Sequence, residues 1–227
     1  MKLFLVLLST VLFSCLSSAY SGGGGSGDHA FSFGFGYAGA SQSDLNSYSS
    51  AMSASSAQLT SGYEFSVTYI YRFSSSMFAL ALRPSYMTET GSGGGVNNSV
   101  TGILFYPMLR LYPLENGFIH FYIQGGVGWG QLTGTSSFGA NSVSYAGTDF
   151  GAMAGLGAEF CFTDHQCMVV EGDARYHAIP RSLVTSTTGN MGGGLSGTSS
   201  HELEFNGLDV QNTLSGIQGI LAYTLKF

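Results

Sequence analysis

The last stretch of the chain, residues 208–227, alternates between two kinds of side chain. From Thr213 onward the odd-numbered positions become apolar and aromatic toward the end, while the even-numbered positions stay small or polar. An alternation of period two is typical of a β-strand with one apolar face. That face finishes on Tyr223, Leu225 and Phe227. The pattern predicts a strand that runs to the last residue and whose apolar face needs an apolar environment.

The composition points to a protein that hides much of its outer surface from water. The 227 residues are 44% hydrophobic and only 9% charged, whereas soluble domains carry roughly 25% charged residues. A net charge of −6 argues against nucleic acid as a partner. Beyond the first residues, no apolar run reaches the roughly 18 residues of a spanning helix. A membrane would therefore be crossed by strands.

The N-terminus predicts export. Residues 1–19 have the pattern of a signal peptide, with Lys2 before the apolar run Leu3–Leu16 and small residues after it. An alternative interpretation makes Cys15 a lipid attachment site. Residues 20–28 are a Gly/Ser-rich lead-in. Export would place the mature cysteines in an oxidising compartment.

Seven further stretches repeat the alternation. The predicted strands are 29–40, 62–73, one that begins at 78, 99–112, 118–132, 149–162 and 167–179, followed by the terminal strand. The connections alternate between long loops (41–61, 88–98, 133–148, 180–207) and short turns (74–76, 113–117, 163–166). An even strand count with one-sided loops predicts an all-β, eight-stranded antiparallel up-and-down transmembrane barrel over residues 29–227, with short periplasmic turns, long external loops and periplasmic termini. Pro107 indicates a bulge or local break in the fourth strand.

Charge decides which face of these strands points inward. One parity carries every charged residue of the predicted strand cores. They are Glu64, Arg72, Arg83, Arg110, Glu159, Glu171, Asp173 and Arg175. Since a charge that faces lipid at mid-depth costs roughly 2–4 kcal/mol, this parity should face the lumen and the aromatic parity the lipid. An eight-stranded barrel is just wide enough for side chains to fill, so we expect a plugged lumen, with Arg83 reaching Glu171 or Asp173 across it.

Aromatic residues toward the strand ends fit the same orientation. They are Tyr63, Tyr86, Trp129, Tyr176, Tyr223 and Phe227. Tyr and Trp are enriched where a membrane meets water. We expect these side chains to anchor the barrel rather than bind a ligand.

Several stretches resemble the small outer-membrane barrel superfamily that includes the OmpA transmembrane domain, OmpX and OmpW. The similar stretches are 110–112, 124–130, 154–160 and 171–177. Tyr223, Leu225 and Phe227 resemble the C-terminal β-signal that the barrel-assembly machinery reads. The resemblance implies a monomeric protein of the bacterial outer membrane, in contact with lipid and lipopolysaccharide. Members of this superfamily range from structural barrels and adhesins to channels for small hydrophobic molecules.

The function predicted from these features is an envelope-structural or loop-presenting barrel. The alternative is a narrow channel of the OmpW kind, for small hydrophobic molecules or ions. The loop-side lumen positions are polar or small, which favours the structural role. They are Glu64, Met87, Gly128, Gly130, Arg175 and His177. A soluble lipocalin-like binder is a further alternative, but it would need charged residues on its outer face.

Catalysis and metal binding are not predicted. Lipid A-modifying barrels need a serine, a histidine and an acid at a membrane-exposed site. The nearest set is His177 with Ser182 and Glu171 or Asp173, yet His177 has lumen parity. Four histidines that could act as metal ligands are scattered along the chain without the spacing of a metal site. They are His120, His165, His177 and His201. We expect no cofactor, no metal and no enzyme activity.

Cys161 and Cys167 flank the turn at 163–166 and share the lumen parity. A disulfide is plausible in an oxidising compartment if antiparallel pairing sets the two residues opposite each other. The alternative is a pair of free thiols, and we expect the disulfide.

Overall fold

The computed structural model describes residues 28–40, 42–53, 58–74 and 76–227. The predicted signal peptide (1–19), the alternative lipid site at Cys15 and the lead-in up to residue 27 lie outside the described residues. Within the described ranges, no helix is long and apolar enough to cross a membrane.

Eight antiparallel strands form a closed ring. They are β1 (Asp28–Gly39), β2 (Ser61–Arg72), β3 (Phe78–Gly93), β4 (Val96–Glu115), β5 (Ile119–Phe138), β6 (Asn141–Thr163), β7 (Gln166–Tyr176) and β8 (Gly216–Lys226). Each strand pairs with the next along the chain, and β8 pairs with β1, where Phe33 lies opposite Tyr223. The predicted eight-stranded up-and-down barrel is confirmed. Its turn end carries the β2–β3, β4–β5 and β6–β7 hairpins, and its loop end is the opposite one.

Side chains alternate between the inside and the outside of the ring. Inward residues such as Tyr122 are buried, while outward apolar residues are exposed on the outer surface: Val127 is 69% exposed and Leu156 is 68% exposed. An apolar band of this kind on the outer face is what a barrel presents to lipid.

The strands differ in length, and two predicted loops were wrong. β1, β2, β7 and β8 have 11 or 12 residues, whereas β3 to β6 have 16 to 23. Residues 88–98 and 133–148 are mostly strand, and the connections shrink to tight turns at Gly94–Gly95 and Gly139–Ala140. Both residues of the first turn have positive φ, 59° and 84°, which glycine adopts without strain. The strands continue because buried apolar residues still alternate with Ser and Thr in these stretches. These residues are Val96, Val100, Leu132, Val143 and Tyr145.

The remaining connections at the loop end contain structure of their own. The predicted loop 41–61 holds helix α1 (Ser43–Met52). Between β7 and β8, short strands form at Ala178–Ile179, Leu183–Thr188, Leu195–Ser196, Glu204–Phe205, Leu208–Asp209 and Asn212–Thr213. Leu183–Thr188 pairs with the upper part of β6. The terminal barrel strand thus begins at Gly216, not at residue 208, because 208–213 pair within this connection.

The β4–β5 ladder is interrupted near Pro107. Pairing skips from Phe105 opposite Trp129 to Met108 opposite Gly126 without a change of register, and the bulge lies farther along, between Leu111 and Leu114. A proline has no N–H to donate to the ladder. β4 then continues to Glu115, inside the predicted turn 113–117.

Candidate functional site: the filled interior

The middle of the barrel holds five charged side chains, which we call the ionic layer. They are Arg83 on β3, Arg110 on β4, Glu159 on β6, and Glu171 and Asp173 on β7. Arg83 crosses the lumen and lies 2.5 Å from Glu171 and 2.9 Å from Asp173. Arg110 lies 3.3 Å from Glu171 and 3.5 Å from Glu159. No side chain of these pairs is more than 3% exposed, so the bridges are shielded from solvent and salt.

Neutral side chains complete the hydrogen bonding of the ionic layer. The Tyr122 hydroxyl donates to Glu171, and the Tyr112 hydroxyl donates to Glu159 over 2.9 Å. The Gln124 and Gln218 amides donate to the two oxygens of Asp173 at 2.9 Å and 3.1 Å. A buried charge is costly unless it is paired and hydrogen-bonded. Every charge of the layer has a partner of opposite sign, and each of the three carboxylates accepts at least one hydrogen bond.

A second charged pair lies one level nearer the loop end. Arg175 donates to Glu64 over 2.7 Å and to the Leu214 carbonyl over 2.6 Å. Beside it, the Tyr106 hydroxyl lies 2.7 Å from Nδ1 of His177. These residues are buried. The lumen therefore remains polar at this level, but it is occupied.

Arg72 is the predicted network residue that lies away from the others. It sits at the turn end and makes a two-pronged bridge with Glu115, at 2.5 Å and 2.7 Å. The two side chains are 27% and 30% exposed. Glu115 is not among the predicted lumen charges, because its sequence position falls in the predicted turn 113–117.

Lys226 is also absent from the predicted lumen charges, although its ammonium lies 3.0 Å from Glu159. Lys226 has the inward parity of Gln218 and Thr224, and this parity was the available signal.

Cys161 and Cys167 lie directly opposite each other in the β6–β7 hairpin. The structure joins them in a disulfide that faces the lumen near the turn end. The bridge ties the two strands together where β6 and β7 turn back.

The loop end of the barrel is filled by apolar side chains, which we call the loop-end plug. α1 contributes Leu45 and Tyr48, both fully buried. They belong to one apolar cluster with inward residues of β3 to β6 and with the connection between β7 and β8. Its main members are Val96, Val100, Leu104, Leu132, Val143, Ile179, Val184, Leu203, Val210 and Leu214. A Cβ built on Gly102 would lie 2.9 Å from Leu214, so even the barrel wall is shaped to this filling.

Hydrogen bonds fasten the plug to the wall. Gln42 donates to Glu89 over 3.2 Å and exchanges two hydrogen bonds with the backbone of Thr213, at 2.5 Å and 2.9 Å. Asn98 donates to the Ser49 hydroxyl over 2.6 Å. Burial raises the pKa of Glu89, while the Gln42 amide and the charge of Arg175 act in the opposite direction. Burial also raises the pKa of Tyr48.

The structure does not bring together the candidate catalytic residues His177, Ser182 and an acid. Ser182 accepts a hydrogen bond from Asn212 at 2.8 Å, whereas His177 contacts Tyr106. The nearest carboxylates of the set, Glu171 and Asp173, are engaged by Arg83.

In the described part of the chain, the potential metal-ligand atoms of one group of residues lie close together. The group is His120, Glu159 and Cys161. However, Cys161 is bonded to its partner cysteine. The Lys226 ammonium lies 3.0 Å from Glu159, 3.2 Å from His120 and 3.4 Å from the Cys161 sulfur. A cation is thus already supplied by the chain.

The residues of the terminal pattern lie on the outer face at the turn end. The Phe227 ring stacks on Phe31 with 5.8 Å between ring centroids. Its backbone exchanges hydrogen bonds with His29 at 2.9 Å and 3.3 Å. The ring of strands is closed up to the last residue.

Solved structures of small bacterial outer-membrane barrels share this fold. Outer membrane protein OprG from Pseudomonas aeruginosa has a TM-score of 0.59 at 12% identity, over 90% of this chain and 98% of that chain. The N-terminal β-barrel domain of OprF from Pseudomonas aeruginosa has a TM-score of 0.48 at 12% identity, over 90% and 100%. Ail of Yersinia pestis has a TM-score of 0.46 at 12% identity, over 89% and 99%. The likeness to OprG confirms, at the level of the fold, the predicted resemblance to small outer-membrane barrels.

No protein-family model matches the sequence. No curated protein sequence matches it either.

Proposed function

We propose that this protein is a closed, monomeric barrel of the bacterial outer membrane that stiffens the envelope and presents its loop end outward. The turn end, with both described chain ends, faces the periplasm, as short turns do in such barrels. The main observation in support of a closed barrel is that two different kinds of filling follow each other along the lumen. The ionic layer occupies the middle, and the loop-end plug occupies the mouth.

Each filling opposes passage by a different physical means. Movement of an ion or polar solute past the ionic layer would separate buried bridges and leave charges unpaired in a medium of low dielectric constant. A polar solute at the loop end would have to displace packed apolar side chains. The two barriers act in series, so the lumen stays closed even when one is weakened.

Planar-bilayer recording tests the closed lumen. The purified wild-type protein should give no steady channels. Leu45→Ser with Tyr48→Ser weakens only the plug, and Arg110→Ala weakens only the ionic layer; each variant should remain silent, whereas the combination should conduct. Steady, sizeable conductance from the wild-type protein would overturn the proposal.

Assembly through the terminal strand is a second part of the proposal. Tyr223 and Leu225 on β8, and Phe227 directly after it, face outward, where the assembly machinery can read them before the ring closes. Phe227→Ala should lower the amount of folded barrel in outer-membrane fractions, measured as the heat-modifiable band on gels. The matched variant Phe162→Ala removes another outward aromatic residue at the turn end and should leave that amount unchanged. Equal amounts in both variants would contradict a specific role of Phe227.

A conduit for small hydrophobic molecules is the second candidate function. The apolar mouth favours it, because a displaced plug would uncover an apolar upper lumen. Uptake of a fluorescent hydrophobic probe into proteoliposomes distinguishes the two roles. The wild type should match empty liposomes if the barrel is closed. Uptake above that level, raised further by Leu45→Ser, would favour the conduit.

Unchanged lipid A acylation on expression would agree with the expectation that no enzyme is present.

A further inference from the structure

The outer surface of the barrel changes character abruptly toward the loop end. On β3 to β6 the outward apolar residues end at Tyr86, Ile103, Trp129 and Phe150. Beyond them, every outward position carries an uncharged Ser, Thr or Asn side chain except Gln131 and Ala146. We call the Ser, Thr and Asn side chains that form three rows across β3 to β6 the hydroxyl face. Its members are Thr88, Thr90, Ser92, Asn97, Ser99, Thr101, Thr133, Thr135, Ser137, Ser142 and Ser144.

The strand register aligns these side chains in three rows. The first is Thr88–Thr101–Thr133, the second is Thr90–Ser99–Thr135–Ser144, and the third is Ser92–Asn97–Ser137–Ser142. Neighbours in a row are roughly 4.8 Å apart and rows roughly 6.8 Å apart in sheet geometry. The hydroxyl oxygens of Thr101 and Thr133 are 2.7 Å apart, and those of Thr135 and Ser144 are 3.2 Å apart. The result is an ordered grid of hydroxyl groups.

Two adjacent depressions cross this grid. One of about 170 Å³ is lined by Ser99, Thr101, Thr133, Thr135 and Ser144 among others. The second, of about 310 Å³, shares Ser99 and Thr135 and extends to Thr90, Ser92, Asn97 and Ser137. No charged residue lines either depression. The surface therefore offers an uncharged groove in which hydroxyl groups stand beside the methyl and methylene groups of the same side chains.

The chemistry of the face selects its partner. Phosphate recognition relies on Arg or Lys, and the face has neither. Protein interfaces centre on aromatic residues and Arg, which are also missing from its members. A neutral sugar presents hydroxyl groups that both donate and accept hydrogen bonds, and Ser and Thr match it in kind.

Position identifies the source of that sugar. The hydroxyl face continues directly from the outward Tyr86 and Trp129, a pair of residue types that marks the boundary of the hydrocarbon layer. If the loop end faces outward, as the proposed function holds, the face begins where the acyl chains end. We propose that the hydroxyl face binds the neutral core sugars of the lipopolysaccharide that surrounds the barrel. Confinement to one leaflet raises the effective concentration of the sugars, so many weak contacts suffice.

Methyl NMR of threonine in nanodiscs tests the proposal. Lipopolysaccharide with core sugars, titrated into phospholipid discs, should shift the Thr88 and Thr90 methyl resonances, and lipid A without core sugars should not. The variant Thr101→Val, Thr133→Val, Thr135→Val keeps these reporters and the side-chain shapes, and we expect its apparent affinity to fall at least about threefold. The control Thr60→Val, Thr187→Val, Thr198→Val removes three threonine hydroxyls from other exposed sites and should bind like the wild type.

Several outcomes would overturn the inference. They are equal shifts with lipid A, unchanged affinity in the first variant, equal shifts with free core oligosaccharide, or shifts that follow the protein-to-lipid ratio without lipopolysaccharide. The last would indicate a contact between two barrels. Heat-modifiable migration of the same samples separates the two proposals: a folded barrel without sugar-dependent shifts refutes only the hydroxyl face, whereas an unfolded sample refutes the barrel itself.

Discussion

The ionic layer and the loop-end plug fill the same tube by opposite means. The ionic layer is built from regular strands, and each charge is held by a partner from another part of the ring. The plug is built from a helix and short strands whose apolar side chains pack against the wall. Loss of one charge leaves another charge buried without a partner, whereas loss of one methyl group leaves only a cavity. The two regions should therefore respond differently to truncation.

The largest effect should come from Arg83→Ala. It leaves Glu171 and Asp173 without the guanidinium that engages both, and breaking a buried pair in this way costs about 3–5 kcal/mol. Urea unfolding in lipid vesicles, followed by Trp129 fluorescence, measures the change. Arg83→Met with Asp173→Asn removes one charge of each sign and keeps Glu171 paired with Arg110, so it should recover most of the loss. A loss of less than about 1 kcal/mol in Arg83→Ala would show that the layer is hydrated.

Leu45→Ala should weaken the plug and spare the barrel. Loss of a buried leucine side chain costs about 2–5 kcal/mol, and we expect the lower end because a docked helix can shift to fill the space. Hydrogen exchange should quicken in α1 and in residues 177–215, while the urea midpoint of the barrel stays unchanged. Faster exchange in β1 to β8 to the same degree would mean that the plug and the barrel unfold as one unit.

Arg72→Ala sharpens the comparison, because its bridge to Glu115 has good geometry but is partly exposed. Exposed bridges contribute at most about 1 kcal/mol, so the unfolding free energy should fall by less than that. Urea unfolding followed by Trp129 fluorescence measures the change in unfolding free energy, with Arg83→Ala as the reference variant. A loss as large as that of Arg83→Ala would show that geometry, rather than burial, sets the strength of these bridges.

The smallest effect concerns pH and Glu89. Burial raises its pKa in the folded state, so the protonated form is favoured by folding. Protonated Glu89 contributes fully to the stability of the plug below the pKa that its carboxyl has in the unfolded chain. This contribution is lost as pH rises through the pKa of the same carboxyl in the folded protein. Hydrogen-exchange protection of α1, corrected for the intrinsic pH dependence of amide exchange, should accordingly fall from acidic to neutral pH, and Glu89→Gln should flatten that dependence. An unchanged pH profile in the variant would assign the effect to another group.

The sequence predicted the barrel and its inward charges because both follow from a period of two. It missed the upper parts of β3 to β6, since Gly and Ser are typical of loops although Val96, Val100 and Val143 keep the alternation going. α1 offers Leu45, Tyr48 and the partly buried Met52 as apolar anchors, and three anchors in a Ser-rich stretch are too short a pattern to indicate a helix. Its place is determined by contacts with residues far along the chain, such as Gln211, whose backbone N–H donates to Asp44 of the helix. Contacts of this kind leave no local trace.

The β5–β6 hairpin, with strands of 20 and 23 residues, turns within two residues at Gly139–Ala140. A peptide grafted into this turn would be carried on a stiff, doubly hydrogen-bonded stalk rather than on a flexible tether. With the loop end outward, as proposed above, an antigen placed there should keep a fixed orientation to the cell surface, which makes the turn a practical site for vaccine scaffolds.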